Sequence, residues 1–126
     1  MSSTGQCGET FTQTPELQVT GPMGNIFFRP MRFERAGDVV LGHTHNFDHV
    51  TFLWRGKIEV TAHHVDNPEA TIVRQFEAPA RILIRKDWCH SIKALQDRTF
   101  ADCIYALRDF DGEVTSHFNG DLFPYQ

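Results

Sequence analysis

Three of the chain's seven histidines, His43, His45 and His49, fall within the stretch "GDVVLGHTHNFDHVTFLWRG", residues 37–56. In an extended strand the side chains alternate between faces, so His43 and His45 project to the same side, roughly 7 Å apart at the Cα level. Two imidazoles at that separation can lean onto one metal ion. His49 shares their parity, and the intervening "NFD" is a turn-like interruption that lets the chain bend back toward the same point. A helix would instead place His45 and His49 one turn apart on one face. Thr, Asn, Phe, Asp and Val are poor helix formers, however, and Gly37, Gly42 and Gly56 punctuate the segment, so the strand reading wins.

Converging imidazoles are costly unless they are used. A buried neutral histidine needs partners at both nitrogens, and clustered imidazolium ions repel one another. A divalent transition metal solves both problems, taking one nitrogen from each ring while the other donates outward. The bland alternative is an exposed strand on which these rings touch nothing. An isolated HxH would be read that way; HxHxxxH bracketed by glycines favours the metal.

The elements that must position these residues are β almost throughout. Short β-branched and aromatic runs alternate with turn signals: "NIFFRPMRFER", "DHVTFLW", "KIEVTAHHV", "TIVRQF", "ARILIR", "CHSIKAL" and "TFADCIYAL". They recur at intervals of roughly ten residues, the spacing of an all-β sandwich or barrel. No stretch sustains a helical apolar stripe over three turns. Residues 1–20 are polar and without periodicity, and are expected to be an arm that is loose unless it docks on a partner. Residues 21–110 form the barrel domain, and 111–126 a C-terminal tail packing on it.

A chain of 126 residues makes one ordinary domain, and its net charge of −4 invites neither nucleic acid nor an anionic membrane. The apolar runs are short and interrupted by charge, and the first residues contain no apolar signal-peptide stretch. Cys7, Cys89 and Cys103 are odd in number and widely spaced, which argues against a disulfide framework and for a reducing, cytoplasmic setting. Cys89 and Cys103 read as small apolar residues within strands.

The segment 37–56 resembles the first motif of the cupins: Gly, five residues, HxH, three or four residues, Glu, six residues, Gly. Gly37, His43, His45, His49 and Gly56 fit every spacing, with His49 standing where most metal-binding cupins have Glu. "IRKDWCHSIKA" is similar to the second motif and puts His90 in the ligand position, although Arg85, Asp87 and Ala94 replace the usual Pro, Gly and Asn. The resemblance covers residues 37–94. It implies the double-stranded β-helix, a conical antiparallel β-barrel or jelly roll, with a metal near one mouth. It also implies a four-histidine variant of the site, His43, His45, His49 and His90. Relative to a carboxylate-containing site, the bound ion keeps one more unit of positive charge, which makes it the stronger Lewis acid. Fe, Mn, Ni, Zn, Co and Cu all suit four nitrogen donors.

Thr51 and Leu53, which share the parity of His49, are expected to line the pocket, as is Ile92 beyond His90. Phe27 and Met31 are further candidates, with core packing as the competing reading. Asp48 and Asp87 lie beside proposed ligands and could orient an imidazole; as plain turn aspartates they would do nothing. An inward arginine could hold a substrate carboxylate bidentately, but the sequence does not say which of nine faces inward. His63, His64 and His117 read as surface residues. Three functions follow: a metal-dependent oxygenase acting on a small oxygen-rich molecule, a metal-dependent sugar or uronate isomerase or lyase, and a non-catalytic binding module. Open strand edges predict a homodimer.

Overall fold

A computed structural model describes residues 5–6, 19–44, 47–108 and 113–114. The described residues contain ten strands and no helix: β1 (Gly5–Gln6), β2 (Gly21–Met23), β3 (Ile26–Phe33), β4 (Val39–Thr44), β5 (His49–Arg55), β6 (Lys57–His64), β7 (Ile72–Glu77), β8 (Ala80–Ile84), β9 (Trp88–Ala94) and β10 (Thr99–Ala106). Each β-branched or aromatic run expected from the sequence forms a strand. The two shortest, β1 and β2, lack the length to show a period of two.

The strands make two five-stranded sheets, ordered β1-β4-β9-β6-β7 and β2-β3-β10-β5-β8, in which neighbouring strands pair antiparallel. From β4 to β9 the chain changes sheet at every step except β6 to β7, which pair as a hairpin, as in a jelly roll. Antiparallel sheets stacked in this way hide one face of each strand, and the burial of β5 alternates accordingly: His49, Thr51 and Leu53 are buried, whereas Trp54 is exposed. The apolar core lies between the sheets, formed by Met31, Phe33, Val40, Leu53, Ile58, Val60, Ile82, Ile84, Ile92, Ala94, Ala101 and Cys103.

Part of the 1–20 arm belongs to this framework, since β1 pairs with β4 in the register Gly5↔Thr44 and Gln6↔His43. Cys103 is a free, buried thiol, but Cys89 is disulfide-bonded, and the other half of that bridge lies outside the described residues. An odd count guarantees one unpaired thiol but does not forbid one bridge, so the inference to a reducing compartment loses its basis. Among the described residues no helix is long and apolar enough to cross a membrane.

Candidate functional site

The strand registers stack the inward-facing residues in rows across each sheet. On the second sheet, Cys103 of β10 lies opposite Arg29 of β3 and Thr51 of β5, and Thr51 lies opposite Ile82 of β8. The next row toward the barrel mouth contains Phe27, opposite Tyr105, and His49, opposite Ile84. On the first sheet, His90 of β9 lies opposite His43 of β4 and Ala62 of β6, and Ala62 lies opposite Ile72 of β7. The next row inward is Val40, Ile92, Val60 and Arg74. The two sheets thus bring His49 and His90 to their facing surfaces.

His49 and His90 meet across the gap. They are 3 % and 2 % exposed, and their ring centroids lie 5.2 Å apart. A transition metal bound about 2.0–2.1 Å from each imidazole nitrogen would sit about 3.2 Å from each centroid. At tetrahedral or right-angle ligand geometry the centroids would then be about 4.5–5.2 Å apart. The observed pair therefore fits two ligands of one ion. Position 43 reaches the same row through an irregularity in β4: the register shifts between Val40 and His43, so His43 stands opposite His90. Strict alternation from Val40 would have put residue 42 there. The side chain of His43 and all of His45 lie outside the described residues. Among the described residues no three His, Cys, Asp or Glu side chains gather as a metal site would require.

The remaining sequence candidates fall at different depths. Phe27 stacks on Tyr105 at the mouth, with centroids 4.9 Å apart and planes 15° apart. Thr51 is one row deeper, where its Oγ1 lies 3.6 Å from Cys103 Sγ in a hydrogen bond. Leu53, Met31 and Ile92 are 1–2 % exposed and belong to the core beneath the mouth. The carboxylate of Asp48 accepts a hydrogen bond from the Lys86 backbone N–H at 2.7 Å and lies 3.6 Å from Arg85 Nε. It ties the segment leading into β5 to the turn leading into β9, the strands that carry His49 and His90. Asp87 takes φ 65, a left-handed conformation that Asp tolerates better than most residues, and its carbonyl accepts from Val65 N–H at 2.9 Å. This is the position at which the second cupin motif has glycine. His64 sits edge-on to Trp88 at the rim, 5.6 Å between centroids, and its Nδ1 accepts from Asp66 N–H.

Several residues at the mouth carried no sequence signal of their own. Tyr105 contacts His49 edge-on at 6.1 Å, and the buried Phe47 packs on Tyr105 at 4.8 Å. Burial pushes the Tyr105 phenol up to about 12; Cys103 adds to the shift and the positive charge of Arg29 opposes it. Burial likewise pushes the Cys103 thiol up, against a hydrogen bond from Thr51 and the charge of Arg29. Both groups are protonated at neutral pH. An opening of about 200 Å³, lined by Ala62, Ile72, Leu83, Ile84, Arg85, Trp88 and His90, lies where the edge strands β7 and β8 part. His90 forms part of its wall.

No protein-family model matches the chain, and no curated protein matches it. Solved structures do. A Bacillus halodurans protein shares 20 % identity, with 73 % of this chain and 69 % of that one covered and a TM-score of 0.56. A cupin-2 domain protein from Shewanella frigidimarina shares 17 %, covering 76 % and 84 %, with a TM-score of 0.52. A recombinant oxalate oxidase in complex with glycolate shares 12 %, covering 75 % of this chain, with a TM-score of 0.56; the match spans only 46 % of the oxidase. The chain has the cupin fold.

Proposed function

We propose, from the cupin fold and the pair of buried histidines at its mouth, that the chain is a metal-dependent oxygenase acting on a small, oxygen-rich organic molecule. One divalent transition metal would be held by His43, His45, His49 and His90. The observation that carries this reading is the 5.2 Å approach of His49 and His90 from opposite sheets. Each ring comes from a separate stretch of chain, and two buried imidazoles at this separation match two ligands of one ion. The likeness to an oxalate oxidase that binds glycolate supports a small oxygen-rich substrate, although it extends over less than half of that enzyme.

When bound, a redox metal would supply Lewis acidity and access to dioxygen. The protein's own groups shape what reaches it. Phe27 and Phe47 pack on Tyr105, which lies edge-on against His49, so flat apolar surface lies beside that imidazole. The Tyr105 phenol, held protonated, can donate a hydrogen bond to a substrate oxygen. That same proton favours one competing reading, a Lewis-acid isomerase or lyase, because such chemistry needs an acid beside the ion.

The test is metal analysis of untagged protein purified without added metal, alongside His49→Ala and His90→Ala, followed by oxygen-electrode measurements on a panel of small hydroxy acids and dicarbonyls. Stoichiometric iron, manganese or copper that is lost in both variants, with substrate-dependent oxygen uptake, is the expected result. Stoichiometric zinc with turnover but no oxygen uptake would replace it with the isomerase or lyase reading. Metal retained in both variants would overturn the site.

A further inference from the structure

Arg29 stands on the inner face of β3. It shares the parity of Met31 and Phe33, which are 1 % and 0 % exposed, and the β3–β10 register runs without a shift from Phe33 to Ile26. Its row partner is Cys103, itself 5 % exposed. The row below, Met31, Ala101 and Leu53, is completely buried and apolar, so the guanidinium has no room to extend inward. Arg29 is only partly buried, which places its head toward the open end. Its charge is felt by both Cys103 and Tyr105, the groups of its own row and of the row above. Arg29 thus stands one row below Phe27, Tyr105 and His49 on the inner face of the second sheet.

Among the described residues no carboxylate forms an ion pair with Arg29: the recorded pairs engage Arg32, His64 and Arg85. The inward-parity positions of β3, β5, β6, β7, β8, β9 and β10 include no Asp or Glu. A half-buried guanidinium on the wall of an apolar barrel costs free energy in the absence of an anion. Its planar fork matches a carboxylate with two parallel hydrogen bonds.

We infer that Arg29 reads a carboxylate on the ligand, so that the mouth takes small organic acids whose carboxylate lies on Arg29 and whose remaining oxygens point toward the His49–His90 end. This rests on the reading of the mouth as a substrate site and adds the substrate class. The row of Arg29 and that of His49 are one strand period apart, roughly 7 Å, and the raised guanidinium shortens the span. Acids of two to four carbons match it.

The test compares L-lactate with its neutral amide, lactamide, by NMR titration of the protein stripped of metal and again after loading with zinc. Wild type is expected to prefer lactate by about tenfold or more in at least one of these states, because the amide cannot accept the bidentate charged contact. Arg29→Met keeps the aliphatic stem and should lose the preference; Arg29→Lys keeps the charge and should retain part of it. If Arg29→Met fails to fold, wild type and Arg29→Lys still decide. Equal binding of acid and amide, no detectable binding of either at tens of millimolar, or an undiminished preference in Arg29→Met overturns the inference. These readouts involve no turnover. A preference for lactate without oxygen uptake would uphold the Arg29 assignment while the oxygenase reading fell, and oxygen uptake without that preference would do the reverse.

Discussion

Gly56 joins β5 to β6 and so carries the chain from one sheet to the other at the end of the barrel away from His49. Its φ is +89°, and a Cβ built there would overlap the side chain of Thr99 and lie 3.0 Å from the Thr99 Cα. Thr99 cannot yield easily: it is completely buried, and its Oγ1 donates to the Gln96 carbonyl at 2.9 Å. Gly56→Ala therefore incurs two penalties. Holding a non-glycine residue in the left-handed region costs about 1–2 kcal/mol. Forcing a methyl into packed surroundings costs about 1–3 kcal/mol. The sum, roughly 2–5 kcal/mol, is a large share of the 5–15 kcal/mol typical of a domain and corresponds to a fall in Tm of about 10 °C or more. Urea titration followed by circular dichroism measures it. Thr99→Gly removes the atoms that collide most severely, so the double variant should be about 1–2 kcal/mol more stable than the sum of the single changes predicts. The backbone part of the penalty should remain. Metal binding by the folded fraction should be unchanged, because the site lies at the other end of β5. If Gly56→Ala lowers stability by less than 0.5 kcal/mol and shows no coupling to Thr99, the packing argument for this turn is wrong.

Two further outcomes follow from the site. Asp48→Ala removes the acceptor that pins the entry to β5 against the turn before β9. Because Asp48 is half-exposed, the loss of stability should stay near or below about 1 kcal/mol, whereas metal affinity measured by chelator competition should fall about tenfold as the two histidine strands loosen. Asp48→Asn keeps a carbonyl acceptor and should recover most of the affinity; an unaltered affinity in Asp48→Ala would remove any positioning role. Stability should also fall at alkaline pH. Cys103 and Tyr105 have folded-state values above their ordinary 9.0 and 10.0, so their contribution is complete below pH 9 and is lost as the unfolded chain releases protons that the folded chain retains, up to about pH 12 for Tyr105. Urea midpoints between pH 8 and 12 test this. Cys103→Ser should weaken the earlier part of the decline, and a flat wild-type profile would contradict the burial of both groups.

The all-β rhythm and the strand-ending glycine were legible because each is a local property: a period of two, a residue type at a turn. What escaped the sequence depends on register. Alternation read outward from Val40 assigns residue 42, not 43, to the place opposite His90; only the irregularity in β4 brings position 43 there, and no residue type announces it. Asp87 stands where glycine would be expected, and the backbone adopts φ 65 regardless, so the turn survives a substitution that weakens its signature. Arg29 is the clearest case. Its parity with Phe27, Met31 and Phe33 is visible in "IFFRPMRF", but the opposite parity carries Phe28 and Pro30 and looks equally apolar. Only the pairing of Met31 with Ala101 and of Phe33 with Thr99, all almost completely buried, decides which face is inside. Once that face is fixed, Arg29, Tyr105 and His49 fall in adjacent inward rows of one sheet, with His90 meeting His49 from the other. Residues that four separate strands bring together leave no contiguous trace in the chain, so their grouping emerges only after the sheets are paired.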